Sequence, residues 1–144
     1  MFLATQKSLP ADVAIFAAAV ADFKLQNKYK NKIKKQEILN LNLEKNVDIL
    51  NYVSNHNSMR PSLVVGFAAE TNNHENNAEE KLNKKNCDWI ISNNVANKNI
   101  GFNSNFNEVT IHNKNKKITN EKLFYKKKSE ISDEIVDRII DQLN

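Results

Sequence analysis

The sequence predicts an α/β domain with a mostly parallel sheet, followed by an antiparallel hairpin and a C-terminal helix. Three observations carry that expectation. Two short continuous apolar runs, 12–19 (DVAIFAAA) and 62–69 (SLVVGFAA), have the composition of strands buried on both faces of a parallel sheet, although the alanines weaken the first. A polar helical stretch, 75–86, separates the second run from a third, 88–92 (DWIIS). Strand, helix and strand at that spacing form a βαβ unit, which implies parallel pairing and a right-handed crossover. A chain of 144 residues suits a single domain with a modest core.

Each element has its own local signal. Residues 1–9 (MFLATQKSL) read as the tail of an amphipathic helix cut from something longer, closed by Pro10 and Asp12. Asp22 and Phe23 lie just past the first strand. Residues 24–37 are polar, lysine-rich and without periodicity, the pattern of an exposed flap. Leu39, Leu41 and Leu43 alternate with Asn40, Asn42 and Glu44, which predicts a half-buried strand. Asn46 is a suitable N-cap for a helix over 47–56 carrying Ile49, Leu50 and Val53, and Arg60-Pro61 breaks it. Ala78 and Leu82 point inward from the 75–86 helix. Residues 107–112 and 116–119 flank Asn113-Lys114-Asn115 as a hairpin. Ser129 or Ser132 caps a last helix whose apolar face is Ile131, Ile135, Ile139, Ile140 and Leu143.

Composition excludes several function classes. Only two glycines are present, Gly66 and Gly101, far apart, so neither a dinucleotide fingerprint nor a P-loop can be built. One cysteine, Cys87, permits no internal disulfide and no cysteine-based zinc site, and the cytoplasm is the expected compartment. The net charge is +4, yet of the basic residues only Arg60 and Arg138 are arginine. Base-reading interfaces favour arginine forks, and lysine here travels with asparagine almost everywhere, so no nucleic-acid partner is expected. Nor is a membrane partner, since no apolar run approaches about 18 residues.

In open α/β sheets ligands bind beyond the carboxyl ends of the strands, which nominates Ala21–Phe23, Phe67–Asn73 and Asn93–Ala96. Asp22 and Glu70 are hard oxygen donors that can take a sugar hydroxyl or a magnesium ion. Spacing alone favours the alternative, a turn cap and a helix cap. Lys32, Lys34 and Lys35 can neutralise a polyphosphate, although composition alone favours a solvated loop. Lys81 and Lys85 share a helix face and can reach one anion together. His56, His74 and His112 show no metal-ligand spacing, Cys87 has no neighbouring histidine, and Trp89 and Phe102 read as core.

Taken in order, AAVADF (18–23), KIKKQ (32–36), KNVDIL (45–50), VVGFAAETNN (64–73), CDWIISNNV (87–95) and GFNSNFNEV (101–109) resemble the carboxyl-terminal part of phosphopantothenoylcysteine synthetase, the second half of a bifunctional coenzyme A biosynthesis flavoprotein in many bacteria. The resemblance covers about residues 9–143. It implies a Rossmann-like three-layer domain, 1–144, truncated at its N-terminus and bearing a 24–37 flap. It also implies a ligase that joins 4'-phosphopantothenate to L-cysteine through an acyl-cytidylate, consuming CTP with magnesium. By the same resemblance Lys32 is the flap lysine that stabilises charge building up at the reacting centre. Ala17, Ala18 and Asp22 match a CTP-contacting segment, Asp48, Ile49 and Leu50 line the nucleotide pocket, and Phe67, Lys81 and Lys85 are further nucleotide contacts. Metal ligands are left open.

Departures from the family pattern are specific. Val47 replaces a proline that would pre-set a helix start, and Asn94 replaces an aspartate, while Asn93 is retained. The glycine-rich upstream third has no counterpart, and neither does the flavin-dependent decarboxylase half, so no FMN is expected. The expected partners are the three substrates, a second copy in a homodimer, and an upstream complementary chain or decarboxylase domain. The competing reading is a non-catalytic fragment that folds and oligomerises but needs an upstream chain for activity.

Overall fold

The computed structural model describes residues 1–27, 40–70, 74–94 and 104–144. Helix α1 (Phe2–Lys7) leads into strand β1 (Val13–Phe16). A two-stranded ribbon of β2 (Phe23–Leu25) and β3 (Leu43–Lys45) follows, then α2 (Ile49–Ser54) and β4 (Leu63–Glu70). Helix α3 (His74–Lys85) and β5 (Trp89–Asn94) complete the βαβ unit, and β6 (Phe106–Asn113), β7 (Glu121–Lys127) and α4 (Lys128–Leu143) finish the chain. The main sheet has the order β1-β4-β5-β6-β7. Strands β1, β4 and β5 pair in parallel, with Ile15 opposite Val65 and Val65 opposite Trp89, whereas β6 pairs antiparallel with both β5 and β7.

Strand alternation distributes the core over both faces of this sheet. On one face Leu63, Val65, Trp89, Ile91, Val109, Ile111 and Leu123 pack against Ile131, Ile135 and Ile139 of α4. On the other, Val64, Ala68 and Ile90 meet Val53 of α2, Ala78 and Leu82 of α3, and Cys87. The result is the α/β arrangement that the apolar runs predict, in the three layers that the resemblance implies.

Several boundaries depart from expectation for physical reasons. The 12–19 run is strand only over Val13–Phe16 and is not buried on both faces: among the described residues β1 has a single neighbour, and Ile15 is 48% exposed. Part of the expected flap, Lys24 and Leu25, is paired strand; residues 28–39 lie outside the described residues, Lys32, Lys34 and Lys35 among them. The alternating leucines do not form a half-buried strand, since Leu41 and Leu43 are exposed and pairing is limited to Leu43–Lys45. Asn46 does not cap α2. Asp48 does, accepting the Asn51 amide at 3.0 Å, which makes Val47 a residue before the cap rather than the first of the helix.

The hairpin's second strand starts at Glu121 instead of Lys116. Asparagines build the longer turn: the Asn113 carboxamide oxygen accepts the Asn115 amide at 2.8 Å, and that of Asn120 accepts the Asn113 amide at 3.3 Å. Neither Ser129 nor Ser132 caps α4. Strand β7 runs directly into the helix, and the Glu130 carboxylate accepts the Lys127 amide at 2.9 Å instead. Ile140 and Leu143 stay exposed beside the buried Ile131, Ile135 and Ile139. Asn86 closes α3 in the left-handed region (φ 57°), a conformation asparagine tolerates.

Candidate functional site

At the carboxyl ends of β1 and β4 a cavity of about 640 Å³ opens between the loop after β1, the start of α2 and the outer face of α3. The loop contributes Ala18 and Asp22, α2 and its cap contribute Asp48, Ile49 and Leu50, β4 contributes Phe67 and Glu70, and α3 contributes Lys81, Lys84 and Lys85. Residues spread over 68 positions of sequence, from Ala18 to Lys85, therefore share one wall. Ala17 is exposed and is not on that wall, although Phe16 and Ala18 beside it are.

Local chemistry shapes this wall. Asn46 donates from its side-chain amide to the Ala21 carbonyl and from its backbone amide to the Asp22 carbonyl, both at 2.8 Å, fastening the loop after β1 to the start of α2. Gly66 lets the floor close: a Cβ there would meet Leu50 Cδ2 at 2.7 Å and Ile90 Cδ1 at 2.9 Å, and both side chains face the cavity. Any Cβ there would push both side-chain ends aside.

Four charges on the wall form two ion pairs, beside Asp22, Glu80 and Lys84. Lys81 Nζ lies 2.6 Å from Glu70 Oε1, and Glu70 Oε2 accepts Asn77 Nδ2 at 3.0 Å. Lys85 is ion-paired with Asp48. Burial works to raise the Asp48 carboxyl's pKa, but the Lys85 hydrogen bond, the Asn51 amide and the charges of Lys85 and Lys84 outweigh it and hold the group below its ordinary value. Two lysines expected to converge on one anion are thus both present at the cavity, each held by a different carboxylate. Glu70 ends a strand and serves this pair.

Other expectations sort plainly. His56 accepts the Met59 amide at Nδ1 (3.1 Å), a turn-forming role, and His112 is buried against Ser92 at 2.8 Å. Cys87 is buried, and desolvation pushes its thiol up to about 11, which removes it as a nucleophile. Trp89 is core. Among the described residues no group of three or more His, Cys, Asp or Glu is placed to hold a metal ion, and no helix is long and apolar enough to cross a membrane. Sequence reasoning missed Asn46, Asn77 and Lys84. Their signal was drowned, because asparagine and lysine are abundant throughout.

The family described as DNA/pantothenate metabolism flavoprotein C-terminal domain matches residues 1–143. The chain belongs to that family. Members similar to it include the coenzyme A biosynthesis bifunctional protein CoaBC of Borreliella burgdorferi, 41% identical over 128 residues, covering 87% of this chain and 31% of that protein. CoaBC of Haemophilus influenzae is 35% identical over 138 residues, covering 95% of this chain and 33% of its own length. Among solved structures, the C-terminal domain of a CoaBC protein superposes with a TM-score of 0.74 at 29% identity, covering 99% of this chain and 60% of the solved one. The chain spans about a third of the curated relatives it matches.

Proposed function

We propose that this family member is the CTP-binding, flap-bearing portion of a phosphopantothenate–cysteine ligase of coenzyme A biosynthesis. The reaction joins 4'-phosphopantothenate and L-cysteine to give phosphopantothenoylcysteine, CMP and diphosphate. The observation that carries the reading is the shared cavity: Ala18, Asp22, Asp48, Ile49, Leu50, Phe67, Lys81 and Lys85, each nominated from sequence as a nucleotide contact, all line it. Its volume is of the size that holds a small-molecule ligand.

In this reading the apolar floor of Leu50, Phe67 and Ile90 receives the uncharged end of the nucleotide and the α3 lysines face its phosphates. The substrate carboxylate attacks the α-phosphorus and diphosphate leaves; the cysteine amine then attacks the acyl carbon and CMP leaves. Lys32 supplies a fixed cation where negative charge accumulates in both steps. Magnesium would enter as a companion of the phosphates, with Asp22 offering a hard oxygen, since that ion is usually bound through one or two carboxylates plus substrate phosphates. When bound, it would neutralise phosphate charge.

Diphosphate release from CTP and phosphopantothenate tests this, with the chain alone and with the upstream third of the family's domain added. Release that is lost in Lys32→Ala, with the fold retained, is the expected result. CTP binding by calorimetry without release in either mixture would support the non-catalytic reading, and absence of binding at millimolar CTP would overturn the CTP-binding role.

A second copy of the chain is proposed as a partner. By register Phe23, Leu25 and Leu43 share one face of the ribbon, and all three are exposed. Two-stranded ribbons are marginal unless an apolar face is covered.

A further inference from the structure

We propose that Lys84 is the residue that reads the distal phosphates of the nucleotide, giving the site its preference for a triphosphate over a monophosphate. The inference rests on the CTP reading above and adds a residue that neither the motif comparison nor helix spacing singles out. Three lysines, 81, 84 and 85, face the cavity from α3. Two are already engaged: Lys81 with Glu70 and Lys85 with Asp48. An anion that takes either of them must first part it from its carboxylate and leave that carboxylate without its cation. Lys84 has no carboxylate partner among the described residues. It stands next in sequence to Lys85, close enough for its charge to act on Asp48, and it is exposed at the rim.

The residues lining the cavity differ in the same sense. Its floor is apolar, built from Leu50, Phe67 and Ile90, and suits the uncharged base. A triphosphate chain directed away from that floor carries its most charged, most hydrated groups towards the rim. An ammonium that is already hydrated and unpaired meets them there at the smallest desolvation cost.

Calorimetric titration of the full chain with CTP, CMP and inorganic tripolyphosphate, against Lys84→Gln and Lys84→Arg, tests the assignment. Thermal melts confirm folding, which an exposed helix position should preserve. The expected result is that Lys84→Gln weakens CTP and tripolyphosphate by about tenfold, the scale of one charge-assisted contact. CMP should be unchanged and Lys84→Arg close to wild type. Equal weakening of CTP and CMP, or none for either, would overturn the role of Lys84 while leaving CTP binding standing. Wild-type chain that binds tripolyphosphate but shows no preference for CTP would overturn the cytidine reading and leave Lys84 as an anion contact. No binding of any of the three overturns both.

Discussion

His112 shows how one residue ties the core to pH. Its ring is 1% exposed, Nε2 lies 2.8 Å from Ser92 Oγ, and Nδ1 has no partner among the described residues. Desolvation lowers its pKa; Glu75 and Glu79 on α3 oppose that, and Lys116 in the β6–β7 turn adds to it. The folded imidazole therefore resists a proton that the unfolded chain accepts near pH 6.5. Unfolded chains bind more protons in that window, so stability should fall as pH drops through about 6.5 and level off below the depressed folded value. Denaturation midpoints at pH 8, 6 and 5 measure this. The His112→Gln variant should lose that part of the pH dependence, and an unchanged slope would show that other groups carry it.

Arg60 does for the connections between elements what His112 does for the core. Its guanidinium donates to the Ser54 carbonyl (2.8 Å), the Pro61 carbonyl (2.9 Å), the Asn86 carbonyl (3.1 Å) and both oxygens of Asp88. Asp88 in turn accepts the Val64 amide at 2.8 Å. One side chain thus gathers the ends of α2 and α3 and the starts of β4 and β5. Arg60→Ala is expected to cost about 3 kcal/mol, because Asp88 and three carbonyls lose their cation together. A shifted urea midpoint at unchanged m-value checks it; a shift below about 1 kcal/mol would mean that water replaces the guanidinium.

The βαβ unit was legible because its strands are buried on both faces and so appear as uninterrupted apolar runs, and the helix between them carries Ala78 and Leu82 four apart. Arg60 was legible only as a helix breaker. Its contact with Asp88 spans 28 positions, and the Lys85–Asp48 pair spans 37, separations that no local pattern encodes. The ribbon was half legible: its leucines alternate, but alternation does not say which layer will cover them. The α4 cap was hidden because Glu130, and not either nearby serine, captures the free amide.

At the scale of the molecule, the ribbon presents an apolar face that nothing among the described residues covers. Leu43→Lys should leave thermal stability within about 0.5 kcal/mol, as exposed substitutions usually do. The same change should shift sedimentation from dimer to monomer. Monomeric wild-type chain at tens of micromolar would remove the homodimer from the account.

The main sheet ends differently on its two sides. Strand β7 carries Lys122, Lys126 and Lys127 along its margin, whereas β1 is four uncharged residues with Ile15 facing outward. Lysines on an outer strand discourage further strand pairing. Among the described residues, then, strand addition is discouraged at the β7 margin by charge and not at the β1 margin. Growth of copies strand upon strand into a filament needs both margins, and the lysines of β7 oppose it at one of them.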